Sequence, residues 1–281
     1  MRPFGFFMKR YITLRQRVIK RPPAMRLAVT TPAAPADADE AGARAAAARR
    51  GLAFAPRAGR ALARVAADAG ADALLVLGRA RAALWADGAE HAWSGGMGEL
   101  RLRRLLAGER ATRDPFLDAA ALRPGDHVLD ATLGLGADAL GAAGAVGSGG
   151  RVVGVERSLA LAALVGEGLL RHASEASRRV EVLAGDAAEI LARLPDRSFD
   201  VVCFDPMFRS PRAEGPAFDL VRRLGDPRPL AAETLARARR VARRWVVVKD
   251  GTPGWDLARL DLVPLPCARW AEKLYARVDA V

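Results

Sequence analysis

The chain has 281 residues, 51% of them apolar and 27% charged, a balance that excludes a disordered or fibrous chain and suffices for a full buried core. The formal net charge is +12, but residues 1–24 hold seven basic side chains and no acid, so the body is only moderately basic. Cys203 and Cys267 are too few and too far apart for a disulfide framework or a zinc knuckle, and no apolar run approaches the ~18 residues of a membrane span.

The basic leader ends in Pro22-Pro23 just before Met25, and its composition admits three readings: a nucleic-acid-binding arm, a targeting peptide, or a start assigned upstream of Met25. It lacks the long apolar stretch of a secretory signal, so the expectation is a cytoplasmic protein. Residues 25–95 read as a small α+β module. "RLAVTT" (26–31) is a strand, the Pro32 to Pro35 bend leads into an alanine-rich helix with Asp37 or Asp39 near its start, and "DALLVLG" (72–78) is a second strand. In "ALWADGAEHAW" (83–93), Asp87-Gly88 between short apolar arms signals a hairpin. Residues 96–126 connect to the next domain through a helix from about Met97 to Ala107 and the turn "LRPGD" (122–126).

From His127 to Val281 strands and helices alternate, with strands at "HVLDA", "RVVGVE", "VEVLAG", "DVVCFD" and "WVVVKD". Five continuous apolar strands separated by helices imply an α/β domain with a parallel, Rossmann-like sheet covered on both faces. The tail from Leu260 to Val281 reads as a terminal strand pair.

In such a sheet ligands collect beyond the carboxyl ends of the strands, so the residues that close each strand matter most. The first closes with "DATLGLGADA": Asp130, then Gly134 and Gly136 in a tight turn opening a helix, where backbone can approach a ligand closely. The second ends in Glu156, placed to accept hydrogen bonds from a ribose diol, the third in Gly185-Asp186 and the fourth in Asp205. "GLGADA" also matches the dinucleotide fingerprint, which keeps an NAD-linked oxidoreductase in view. Against it stand Asp130 ahead of the glycines and the acids after strands three and four. An acidic rim suits the sulfonium, amino-acid end and ribose of S-adenosylmethionine better than an anionic pyrophosphate. Each acid taken singly has the plain alternative of a helix cap.

The fourth strand runs into "DPMF" (205–208). Methylating an exocyclic amine requires a nitrogen whose lone pair is drawn out of the ring, and a carboxylate such as Asp205 accepting the amine's hydrogen bonds does this. Phe208 would stack on the base plane, a use of aromatic rings common in flipped-base recognition. Proline stiffens the turn between them. The plain alternative is a strand end followed by a core phenylalanine.

At "DATLGLGADAL", "GVERSLALAALVGEGL", "FDPMF" and "RWVVVKD" the sequence resembles the RsmJ-type methyltransferases, over roughly residues 93–281. That resemblance implies a class I methyltransferase fold with a terminal antiparallel strand, S-adenosylmethionine as cofactor, and the N2 amino group of a guanosine in small-subunit ribosomal RNA as target. The RNA partner is then naked RNA or the 30S particle, with no membrane and no metal. It further implies cofactor contacts at Ala137-Asp138, Glu156-Arg157, Asp186-Ala187 and Asp205. The segment "MGELRLRRLLAGERATRDPF" (97–116) departs from the best-known bacterial version, lacking its glycine-rich basic loop.

Basic residues offer substrate contacts. Arg101, Arg103 and Arg104 share one helix, Arg209 and Arg212 follow "DPMF", and Lys249 ends strand five, facing either the cleft or solvent. An ordinary solvated arginine face is the alternative for the helix. His91, His127 and His172 show no metal-ligand spacing. The residues lead to methyl transfer to an exocyclic amine of a nucleic-acid base. By the resemblance guanine N2 comes first, adenine N6 second, and a homologue that binds cofactor or RNA without catalysis stands as the reading from another class.

Overall fold

In the computed structural model, the structure describes residues 25–108, 114–206, 216–267 and 271–281, without the side chains of 216–218. Two sheets form. The first contains β1 (Leu27–Thr30), β2 (Ala53–Phe54), β3 (Ala73–Leu77), β4 (Ala82–Ala86) and β5 (Ala89–Ala92), in the order β2-β1-β3-β4-β5. β1 runs parallel to β2 and β3, whereas β3, β4 and β5 form an antiparallel meander, so the sheet of this module is mixed. Asp87 and Gly88, both with positive φ, make the hairpin turn between β4 and β5. The first helix, α1 (Asp37–Arg50), is capped through Ala36, whose N–H donates to the Asp39 carboxylate at 3.0 Å.

Every residue of β3 is buried because the strand is covered on both sides. Leu74 and Val76 pack with Leu62, Val65 and Ala66 of α2 (Leu62–Asp68). Leu75 and Leu77 face the other way, onto Leu161 and Leu164 of a helix from the second domain.

The second sheet has six strands: β6 (His127–Asp130), β7 (Arg151–Glu156), β8 (Val180–Ala184), β9 (Phe199–Phe204), β10 (Ala242–Gly251) and β11 (Lys273–Asp279). Their order is β11-β10-β9-β6-β7-β8. All pairs are parallel except β10 with β11, so the terminal antiparallel strand is present. The expected strand pair at the tail resolves into β11 alone plus an isolated bridge between Pro264 and Ala276. The order reverses between β6 and β9, which puts the crevice for a ligand at their carboxyl ends. Alternation divides the sheet cleanly. Leu129, Val153, Phe204 and Val248 face one apolar layer, while Val128, Val152, Cys203, Val247 and Tyr275 face the other.

The helices of this half are α3 (Gly96–Leu106), α4 (Pro115–Ala120), α5 (Ala137–Val146), α6 (Leu159–Arg171), α7 (Ala187–Arg193), α8 (Pro216–Leu224), α9 (Ala232–Val241) and α10 (Trp255–Arg259). α6 is buried continuously from Ala160 to Leu169 because it is wedged between the two sheets, which is why its sequence is apolar all round. At its centre Glu167 is fully buried. It is held by Arg171 at 2.6 Å, by Arg50 of α1 at 2.9 Å and more loosely by Arg49. Trp93 completes the seam, donating to the Leu135 carbonyl at 3.0 Å. No helix among the described residues is long and apolar enough to cross a membrane.

Candidate active site

The pleat that sorts the two apolar layers also sorts the strand ends. Residues two apart point to the same face, so Glu156 lies on the Val152 side, Asp130 on the Val128 side, Asp205 on the Cys203 side and Lys249 on the Val247 side. One face of the sheet therefore presents, from β7 across to β11, Glu156, Asp130, Asp205, Lys249 and Tyr275.

The first turn is built as the sequence predicts. Gly134 and Gly136 have positive φ, and a Cβ on Gly136 would lie 2.9 Å from Val165 of α6. Glu156 ties this turn to the next one, its two oxygens accepting the N–H groups of Gly134 at 3.0 Å and Ser158 at 2.8 Å. Burial pushes its carboxyl above the usual range, against those backbone hydrogen bonds. Thr132 follows Asp130: its amide donates to the Asp130 carboxylate at 3.2 Å, and its hydroxyl accepts the Asp205 amide. Asp130 is 5% exposed. Burial, with the Asp138 carboxylate adding to it, pushes its pKa up to about 8.

A cavity of about 230 Å³ opens beside this row. Thr132, Gly134, Glu156, Arg157, Asp186, Ala187 and Asp205 contribute to its wall. Asp186 caps α7 through the Ala188 amide at 2.9 Å, and its second oxygen accepts from Arg228 at 2.6 Å. Burial raises the Asp186 carboxyl, but the Arg228 and Ala188 hydrogen bonds outweigh it and hold the group below its ordinary value. Arg228 also grips Asp226, and Arg157 reaches Asp226 at 3.3 Å. The far wall, from Val221 to Thr234 and including Asp226, Arg228 and Leu230, went unread in the sequence. The signal for it is the turn-rich "GDPRP" (225–229), which lies between α8 and α9.

Other expected residues sit elsewhere. Gly136, Ala137 and Asp138 lie at the start of α5, outside the wall of this cavity. Asp138 is instead the centre of a buried ion chain, its carboxylate accepting from Arg101 at 2.5 Å and from Lys249 at 3.2 Å. Arg101 also reaches Asp114 at 2.6 Å, and Lys249 also bonds Asp205 Oδ2. Arg101 is 7% exposed and Lys249 6%, so neither lies on a phosphate-facing surface. Their burial corrects the expectation of substrate contacts at these two positions. α3 packs on α5 so closely that a Cβ on Gly98 would fall 2.5 Å from the Ala137 carbonyl oxygen, and this approach brings Arg101 to Asp138. Arg104 stays half-exposed on the same helix. Phe208, Arg209 and Arg212 lie outside the described residues, as does Met207. Among the described residues no cluster of His, Cys, Asp and Glu could hold a metal ion.

The order of strands, the glycine turn at the reversal and the acids closing successive strands define a class I, Rossmann-like methyltransferase. A family model described as "Putative SAM-dependent methyltransferase" matches residues 98–259, more than half of the chain. The chain is 40% identical over 184 residues to the uncharacterized protein YpiP of Bacillus subtilis, covering 63% of this chain and 70% of that one. It is 38% identical over 165 residues to ribosomal RNA small subunit methyltransferase J of Laribacter hongkongensis, covering 54% of this chain but only 56% of that protein's length. A SAM-dependent methyltransferase from Neisseria gonorrhoeae shares the fold, with a TM-score of 0.54 at 20% identity over 89% of this chain and 94% of that one. The chain belongs to the SAM-dependent methyltransferase family that the family model describes, is similar to the ribosomal RNA small subunit methyltransferase J proteins over part of their length, and has S-adenosylmethionine as its cofactor.

The donor set fits that cofactor. Glu156 and Asp205 give the cavity wall two carboxylates beside Asp186 and Asp226, which Arg228 pairs, an acceptor set suited to a ligand that carries hydroxyl and amino donors.

Proposed function

We propose that the protein transfers a methyl group to an exocyclic amine of a nucleic-acid base, with guanine N2 of small-subunit ribosomal RNA as the substrate. The observation that carries this reading is the placement of Asp205: it closes β9 at the sheet's reversal point, lines the cavity, and keeps a side chain 32% exposed above a buried lysine. Similarity to relatives named ribosomal RNA small subunit methyltransferase J supports an RNA target.

Bound S-adenosylmethionine supplies an electrophilic methyl group on a sulfonium. Glu156 accepts hydrogen bonds from ribose hydroxyls, using lone pairs left over from Gly134 and Ser158. Asp186 accepts from the adenine amino group, and the Asp130 carboxyl is proposed to accept a hydrogen bond from the methionyl ammonium, Asp138 being already paired to Arg101 and Lys249. Asp205 accepts an N–H of the target amine, drawing the nitrogen lone pair out of conjugation, and takes up the proton that nitrogen loses as it gains the methyl group. Fixing base and carboxylate in one geometry supplies much of the remaining acceleration. Phe208, two residues past Pro206, is the proposed stacking partner of the base, and Arg104 and Arg209 are proposed to meet the RNA backbone.

Tritiated methyl transfer to small-subunit RNA and to 30S particles from a strain lacking this gene tests the reading, with mass analysis of the digested nucleosides. The expected product is N2-methylguanosine in the wild type and none with Asp205→Ala. Label on adenosine N6, or cofactor binding with no transfer to either substrate, refutes guanine N2 as the target.

A further inference from the structure

The reaction proposed above needs Asp205 ionised and turned so that one oxygen meets the amine, and the inference drawn next rests on that reading. We propose that Lys249 is a positioning residue for methyl transfer: its ammonium pins Oδ2 of Asp205 and keeps that carboxylate ionised, leaving Oδ1 to meet the target amine.

Three observations converge on this role. Lys249 is buried on the inner face of the sheet, directly beyond the register pair Val248 and Phe204, so its stem cannot reach a passing RNA backbone. Its Nζ bridges two carboxylates, Asp205 Oδ2 and Asp138 Oδ2, and among the described residues it is the donor that holds the Asp205 carboxylate. The bridge is itself held rigid, since Asp138 is locked by Arg101 and Arg101 by Asp114. Asp114 in turn caps α4 through the amides of Phe116 and Leu117. The chain Asp114, Arg101, Asp138, Lys249, Asp205 thus anchors the strand-four carboxylate to two helices, α3 and α4, that the sequence places outside the catalytic domain.

Charged and titratable groups face Asp205 from several elements: Lys249 on β10, Lys273 and Tyr275 on β11, Asp138 on α5 and Asp130 on β6. Burial raises the Asp205 carboxyl, Lys249 pulls it back, and Asp138 raises it again. Lys249 itself is desolvated, yet Asp205 and Asp138 hold its pKa above the ordinary lysine value, so it stays cationic across the working range. Without it, among the described residues the cation left facing Asp205 is the exposed Lys273, against the Asp138 carboxylate.

The test is Lys249→Met beside Lys249→Arg in the full chain, with two readouts. Carbon-13 NMR of aspartate-labelled protein follows the Asp205 carboxyl, assigned by its loss in Asp205→Asn. Steady-state methyl transfer follows kcat and the KM for RNA across pH. In Lys249→Met the Asp205 titration and the acidic limb of kcat are expected to move up by about one unit, so kcat on that limb falls about tenfold. KM is expected to stay the same, and Lys249→Arg to restore the limb. If Lys249→Met melts below the assay temperature, Lys249→Gln carries the same expectation. An Asp205 titration unmoved in a folded variant overturns the proposal, as does a raised KM with the limb unmoved, which marks Lys249 as an RNA contact. A shifted titration with no transfer to RNA even by the wild type supports the positioning role and refutes the substrate reading instead.

Discussion

Asp130→Asn is expected to make the protein more stable as the pH rises, although it removes a carboxylate from the heart of the site. Asp130 is 5% exposed, its carboxylate accepts one N–H, from Thr132 at 3.2 Å, and it faces the Asp138 and Asp205 carboxylates. Burial and Asp138 put its pKa at about 8 in the folded protein, against ~3.9 for an aspartate in an unfolded chain. The native state therefore holds a proton that the unfolded chain has released over this window. Its stabilising contribution is full below about pH 4 and declines as pH rises toward the folded pKa. The limiting slope for one proton is about 1.4 kcal/mol per pH unit, so between about pH 5 and about pH 7.5 the wild type loses about 3 kcal/mol that a neutral asparagine does not lose. Urea unfolding of both proteins across that range measures it: the stability difference should grow by about 3 kcal/mol in favour of the variant. Parallel pH profiles would show that Asp130 is already ionised at neutrality and that the desolvation reasoning is wrong.

Glu167→Gln should cost about 2–4 kcal/mol, because Arg50 and Arg171 are mostly buried and lose their shared carboxylate, while the more exposed Arg49 adds little. Although burial pushes the Glu167 carboxyl up, Arg171 and Arg50 hold it below its ordinary value. The clamp is thus intact above about pH 4.5 and lost as pH falls through the folded value, and thermal melts of the variant should lack that acid-induced step. Cys203 is buried beside Asp130 and Asp138, with burial raising its thiol well above the usual range, whereas Cys267 is exposed. A thiol reagent should titrate one cysteine in the native protein and the second only on unfolding; two fast-reacting thiols would contradict the buried placement.

By itself the sequence determined what is local. Strands β6 to β10, the glycine turn at Gly134 and Gly136, the hairpin at Asp87-Gly88 and the acids that close successive strands were all legible. Backbone periodicity, left-handed turns and strand ends are written in neighbouring residues. The partner of each side chain was decided only in three dimensions. Lys249 read equally as facing cleft or solvent until the pleat and the α5 start put it between Asp205 and Asp138. Arg101 read as a substrate contact or as part of a solvated basic face, and only the close crossing of α3 over α5 turned it inward. Glu167, one acid in an apolar helix, has a meaning only because α6 is trapped between two sheets whose strands lie far apart in the chain. A buried charge is tolerated only where its counter-charges converge, and that convergence is a property of packed elements that no window of sequence contains.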